Sequence, residues 1–267
     1  MTESRSAETP LMRLEDVHLI HGEGRIALAG IDLEIRRGER LVLLGGNGSG
    51  KSTLLKLLDG LVFPTRGRYL FEGQTMDGSA TRRHGGLPDF RQRVVLMFQH
   101  PEAMLFNPSV REELAYGLRH LPDDERDARV IYWAGALGLA GRLETQPSEL
   151  SGGEKQRLCL ACLLAVEPEV LLLDEPTANL DPRTTGWLLD WLADREITSV
   201  VATHQLGMAA ELGERLVVLG EDHAIVFDGS VEQGLGDLEM LTAQGLAHVH
   251  GHRHGARFHR HPHWHGD

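Results

Sequence analysis

Apolar and polar residues alternate cleanly through Ile31-Asp-Leu-Glu-Ile35, the period-two pattern of a strand with one buried face. Leu14–Leu19 reads as a strand ahead of it. The turn residues Arg37-Gly38-Glu39 then give way to a short apolar run, Arg40–Leu44, which predicts a buried strand. That run leads into the glycine-rich Gly45–Gly50 and a helix over Lys51–Leu58. Strand, glycine loop and helix in succession open an α/β domain.

Further along, Gly67–Glu72 and Arg93–Phe98 fit strands, and Asp77–Asp89 is a loop rich in Gly, Arg and Ser. From Val110 to Val166 the pattern becomes mostly helical, with breaks at Pro122 and Pro147. Val170–Leu173 and Ser199–Ala202 are expected as buried strands, with an amphipathic helix, Thr184–Arg195, between them. Arg215–Leu219 and Ala224–Phe227 form a terminal strand pair turning at Gly220–Asp222. The expected organisation is a disordered lead-in over residues 1–10, one folded domain over 11–235, a linker over 236–247 and a polar tail over 248–267. The domain is a parallel-sheet core with a helical insertion at about 100–165.

Charge and composition narrow the function classes. Among 267 residues, 27 Lys+Arg against 39 Asp+Glu leave a net charge of −12. That balance disfavours nucleic acid as a partner, because Lys and Arg must neutralise phosphates there. At 41% hydrophobic the chain can bury a core. Its longest apolar run in a helical context, Leu158–Val166, falls far short of the ~20 residues of a membrane span. The polar Met1–Pro10 carries no signal region, so a cytoplasmic location is expected. The two cysteines, Cys159 and Cys162, sit one helical turn apart among leucines, a pattern of core packing rather than of zinc ligation.

The loop after the first buried strand carries chemistry. Gly45-Gly46-Asn47-Gly48-Ser49-Gly50-Lys51-Ser52 matches G-x-x-x-x-G-K-[ST], followed by Thr53. Glycines let the backbone curl so that successive N–H groups face phosphate oxygens. The helix opening at Lys51 adds its positive end. Lys51 brings a mobile charge to the β and γ phosphates, and Ser52 offers a hydroxyl to Mg2+. A second anchor, Leu171-Leu-Leu-Asp-Glu-Pro176, ends an apolar strand in carboxylates, at the sheet edge where ligands bind in open α/β folds. Asp174 suits Mg2+ held through water, and Glu175 is placed to polarise an attacking water.

Together with these two, further motifs in order along the chain resemble the ATP-binding-cassette (ABC) ATPases over about residues 11–235. Leu150-Ser-Gly-Gly-Glu-Lys-Gln156 reads as their signature, Gln99 as the Q-loop residue, Ala178-Asn-Leu-Asp181 as the D-loop and His204 as the switch histidine. The resemblance implies a P-loop NTPase core of the ABC ATPase type, with an N-terminal antiparallel β subdomain and an inserted α-helical subdomain. It also implies ATP and Mg2+ as cofactors and a head-to-tail dimer, a homodimer, with two equivalent sites. In that dimer Ser151, Gly152, Gly153 and Asp181 act in trans on nucleotide held by the other copy's loop. Glu175 is then the general base, His204 contacts the γ-phosphate, and Gln99 joins Ser52 and Asp174 around Mg2+. His21 falls where the family carries an adenine-stacking aromatic, and Gln205 where an acidic residue is common.

Phe98-Gln-His-Pro-Glu-Ala-Met-Leu-Phe106, with Pro108–Gly117 after it, resembles the energy-coupling-factor ATPases, with Met104 in place of their usual Gln. Within that group the cobalt and nickel importers have ATPases of this length. The implied role is a peripheral subunit on the cytoplasmic face of the membrane, docked on integral-membrane transporter subunits. Importers of vitamins belong to the same group.

The tail adds chemistry of its own. Of 15 histidines, eight lie at His248, His250, His252, His254, His259, His261, His263 and His265. Neutral imidazole suits Ni2+, Co2+ and Zn2+, with binding expected to fail below about pH 6 as the rings protonate. Such a segment serves as a metal buffer or sensor, or is a solvated tail with incidental metal affinity; its irregular spacing is unlike an expression tag. A P-loop beside a His-rich tract also occurs in nickel-insertion GTPases. Those need an N-K-x-D guanine-reading motif, which this sequence lacks, and have no place for Leu150–Gln156.

Overall fold

A computed structural model describes residues 9–78, 90–254 and 257–264, those from His248 onward by backbone alone. The chain forms two compact units, one from Met1–Pro88 with Thr198–Asp267, the other from Asp89–Ile197. In chain order the first unit opens with β1 (Met12–Ile20), β2 (Ile26–Ile35), β3 (Arg40–Gly45), α1 (Lys51–Leu58), β4 (Arg66–Phe71) and β5 (Gln74–Thr75). The second holds α2 (Phe90–Arg93), β6 (Val94–Met97), α3 (Val110–Tyr116), α4 (Asp123–Ala136), α5 (Gly152–Ala165), β7 (Val170–Asp174) and α6 (Pro182–Ala193). The chain returns to the first with β8 (Thr198–Ala202), α7 (Leu206–Leu212), β9 (Arg215–Leu219) and β10 (Ile225–Ser230). It ends in α8 (Val231–Gly236), α9 (Leu238–Ala243), β11 (Ala247–His254) and β12 (Arg257–Trp264).

In the first unit, β2, β1, β4 and β5 form an antiparallel sheet in that order. The alternation in β2 is realised: Ile31, Leu33 and Ile35 are buried and Asp32 is exposed. Beside it, β3 lies between β8 and β9, parallel to both, with β10 antiparallel to β9. Leu41–Leu44 are wholly buried, as a strand covered on both faces requires. α1 turns Leu54, Leu55, Leu57 and Leu58 into this core. The buried Tyr69 hydroxyl donates to the Leu58 carbonyl at 2.8 Å, satisfying one of the acceptors left open at the end of α1. Burial pushes the Tyr69 phenol well above its usual range. Arg215, at the foot of β9, joins the two sheets. Its guanidinium donates to the Asp228 carboxylate at 2.6 Å, the Glu39 carboxylate at 2.9 Å and the Glu34 carbonyl at 2.8 Å. Its hydrogen bonds to the two carboxylates raise its pKa.

The stretch read as a linker, 236–247, is folded. It carries α9, and Leu241, Leu246 and Ala247 are buried. The apolar positions are too few and too close for helical periodicity to show. The short α7 is likewise invisible in the pattern. Residues 1–8 and 79–89, which include most of the lead-in and of the expected loop, lie outside the described residues.

In the second unit β6 and β7 pair in parallel, and α3, α4 and α5 make up the expected helical insertion. Pro122 caps α4 and Pro147 opens a 3-10 turn, so both prolines stand at helix boundaries. The buried Glu113 carboxylate accepts from the Phe106 and Asn107 backbone N–H groups at 2.9 and 2.7 Å, fixing the chain ahead of α3. Cys159 is buried in α5, and desolvation raises the Cys162 thiol well above its usual range. Among the described residues no group of three His, Cys, Asp or Glu with placed side chains is positioned to hold a metal, and no helix is long and apolar enough to cross a membrane.

Candidate functional site

The first unit builds the phosphate cradle. β3 delivers Gly45 at the carboxyl edge of the parallel strands, and the loop closes onto α1. A Cβ at Gly45 would lie 2.5 Å from Ser49 Oγ and 2.7 Å from the Leu219 carbonyl oxygen. At Gly50, φ is 112°, and a Cβ would stand 2.5 Å from the Ala27 carbonyl oxygen. Only glycine serves at either position. Lys51 is folded back over the loop, its ammonium donating to the Gly45 and Gly46 carbonyls at 2.8 and 3.0 Å. The first N–H groups of α1 lack acceptors within the helix and carry its positive end. Ser49 Oγ is buried and makes no hydrogen bond to the described residues. An orphaned hydroxyl, a held ammonium and the start of a helix around one glycine loop fit a polyphosphate.

Two neighbours of this loop escape a reading of the sequence. His223, in the β9–β10 turn, has φ 64° and places Nδ1 3.2 Å from the Ser49 carbonyl oxygen. The carbonyl of Gln244, after α9, would lie 3.8 Å from a Cβ at Gly46. Both come from far downstream in the chain, and nothing local in the sequence marks them.

His204 follows β8, whose Ala202 stands opposite Leu43 of β3, so it emerges at the same sheet edge as Gly45. The Thr203 N–H donates to the Leu43 carbonyl at 3.1 Å, and the Gln205 N–H to Thr203 Oγ1 at 3.1 Å, which fixes the backbone on both sides of His204. His21 is exposed in the turn from β1 to β2, and β2 abuts the loop through Ala27 and Leu28 at Gly50. The first unit therefore carries Gly45–Thr53, His204 and His21, with His204 at the edge of the loop and His21 in the turn ahead of β2.

The second unit gathers the rest. β7 is buried throughout and ends in Asp174, with Glu175 next, 5% and 6% exposed. Glu175 has φ 51°, a left-handed backbone that costs a non-glycine residue about 1–2 kcal/mol. Strain at the end of a buried strand is the kind retained at functional sites. Gln99 follows β6, and Met97 stands opposite Leu173, so Gln99 and Glu175 leave the strand pair at one edge.

Ser151 caps α5. Its Oγ accepts from the Glu154 N–H at 3.3 Å, while Glu154 Oε2 accepts from the Ser151 N–H at 2.9 Å and from Ser151 Oγ at 2.8 Å. These bonds hold the Glu154 carboxyl below its usual range. Gly153 lies against the Asn179 carbonyl, and Arg157 pairs with Asp181 at 3.2 Å. Asp181 caps α6 and is held below the usual range chiefly by hydrogen bonds from Thr184. Inside, the buried Gln156 amide donates to the Pro176 carbonyl, tying α5 to the Asp174–Glu175 turn. The sequence places Gln156 in its motif without a role. Of the tail histidines, seven lie on β11 and β12, and His265 lies outside the described residues.

The profile of one family, described as ABC transporter, matches residues 28–178. The chain is 42% identical to the nickel import ATP-binding protein NikO of Rhodobacter capsulatus, covering 79% of this chain and 86% of that one. It is 36% identical to the energy-coupling factor transporter ATP-binding protein EcfA of Methanothermobacter thermautotrophicus, covering 88% and 76%. Among solved structures, cbiO1 of Clostridium perfringens, part of the transporter complex cbiONQ, superposes with TM-score 0.73 at 31% identity, covering 88% and 94%. The cassette MJ0796, a dimer bound to ADP and Pi, superposes with TM-score 0.73 at 26% identity, covering 82% and 98%.

Proposed function

The chain belongs to the ABC transporter family, as an ATP-hydrolysing subunit coupled to transport, and on that premise we propose that it powers import of divalent cobalt or nickel. The single observation carrying the ATPase role is that one chain holds both a formed phosphate cradle at Gly45–Ser52 and a serine-capped helix start at Ser151. Similarity to a nickel import protein and to cbiO1 supports the metal substrate, and eight tail histidines agree with it. Membrane subunits are its partners, and docking is on the cytoplasmic face.

The cradle residues Gly45–Thr53 bind the triphosphate, with Lys51 on the β and γ phosphates and His21 beside the adenine. Two copies assemble head to tail. Ser151, Gly152, Gly153 and Asp181 of one copy close over nucleotide bound by the other. Ser52, Gln99 and Asp174 offer only oxygen donors, which suits Mg2+; they would hold it, and it would neutralise charge on the β and γ phosphates. Glu175 takes a proton from water as the water oxygen attacks the γ-phosphorus. The bond to the bridging oxygen breaks, giving ADP and phosphate. His204 contacts the γ-phosphate and steadies that geometry. The rest of catalysis is positioning and electrostatics.

The test is transport itself. The chain is purified with its membrane subunits, reconstituted in vesicles and supplied with ATP on its own side. Radioactive nickel or cobalt should accumulate on that side, and a Glu175→Gln complex should accumulate neither. Uptake of a vitamin with no metal uptake would replace the substrate while leaving the ATPase role intact.

A further inference from the structure

β11 and β12 form a two-stranded antiparallel ribbon of their own. Its register sets His248 opposite His263, His250 opposite His261 and His252 opposite His259. Residues two apart along a strand share a face, so these three rungs place six histidines on one side of the ribbon. A slip of one residue would set histidines against Gly251, Val249 and Arg253 instead. Sequence alternation alone marks His-x-His on each strand; only the register turns it into pairs. The ribbon is anchored at its base, since Leu246 and Ala247 are buried behind α9.

Directly opposed residues have Cβ atoms about 5 Å apart, and successive rungs on one face are about 7 Å apart. We propose that the β11–β12 ribbon, whose register sets three histidine pairs on adjacent rungs of one face, is a binding site for a divalent transition metal. Neutral imidazole selects Ni2+, Co2+, Cu2+ and Zn2+ over Mg2+. The middle rung, His250 with His261, belongs to both possible pairs of neighbours and is indispensable. Either outer rung is replaceable by the other. A two-stranded ribbon is marginally stable by itself, so an ion clipped across two rungs also fastens its strands. The site goes beyond the transport reading and is independent of which substrate crosses the membrane.

The experiment uses the purified full chain without nucleotide, titrated with Ni2+ and separately with Co2+ against a chelating dye. Two variants, each also carrying His254→Ala because His254 follows His252 on the same face opposite Arg257, keep the same number of histidines: His250→Ala with His261→Ala, and His248→Ala with His263→Ala. The outer-rung variant should bind as the parent does. The middle-rung variant should bind roughly 100-fold more weakly, because its remaining rungs are too far apart to share an ion. Equal loss in the two variants, greater loss from the outer rung, or no saturable binding by the parent chain would overturn the proposal. Nucleotide binding by both variants checks that they are folded.

Discussion

Glu175 combines a strained backbone with a buried carboxylate at the end of β7, and both features bear on the role of base proposed for it. Glu175→Gln keeps size and burial while removing the proton acceptor. Turnover should fall by about 10²–10⁴-fold with ATP binding retained, read by steady-state hydrolysis beside equilibrium binding. Near-normal turnover would put the base elsewhere. Gly50 makes a different demand. Its φ of 112° and the Ala27 carbonyl oxygen, 2.5 Å from where a Cβ would stand, leave no room for alanine. Gly50→Ala should abolish nucleotide binding as Lys51→Ala does, the first by deforming the loop and the second by removing its charge. Calorimetric titration with ATP checks both. Wild-type affinity in Gly50→Ala would mean that β2 yields to the extra carbon.

At the scale of elements, α5 joins two functional segments: Ser151 caps its start, and Gln156 grips the Pro176 carbonyl. Gln156→Leu leaves that carbonyl without its donor and should cost about 1–3 kcal/mol in denaturant unfolding. Unchanged stability would show that the tie is dispensable. The Ser151–Glu154 capping box adds a pH dependence. Its carboxyl is held below the usual range in the folded chain. The stabilisation is therefore full above the unfolded carboxyl's pKa and fades as pH falls through the lower folded value. Glu154→Gln should remove that part of the acid-side decline, read from unfolding midpoints at pH about 5 to 2. β3, the glycine loop and α1 were legible in the sequence because an apolar run, a glycine cluster and a leucine-rich helix are all local signals, and the helix bounds of Lys51–Leu58 match. The start of β2 was not, since Gly30 at φ 62° interrupts its alternation. Nor was α9, whose buried Leu241 gains meaning only once packed. Leu241→Ala should cost about 2–5 kcal/mol, a loss that no free linker would show.

For the molecule as a whole, the cradle with His204 and His21 belongs to one unit, and Gln99, Ser151–Gly153, Asp174, Glu175 and Asp181 to the other. The motifs announced each group, because their residues are contiguous in the chain. His223 and Gln244 reach the loop from most of the chain's length away and leave no mark on the motifs. Ser151 in the single chain gives its hydroxyl hydrogen to Glu154. In the dimer we propose, that hydroxyl is offered instead to phosphate on the other copy. The most direct measurement is the structure of the Glu175→Gln chain crystallised with ATP and Mg2+. Ser151 Oγ should lie about 2.5–3.0 Å from a γ-phosphate oxygen of nucleotide held by the other copy's Lys51. Ser151 facing solvent, with ATP bound and both loops filled, would contradict the shared site.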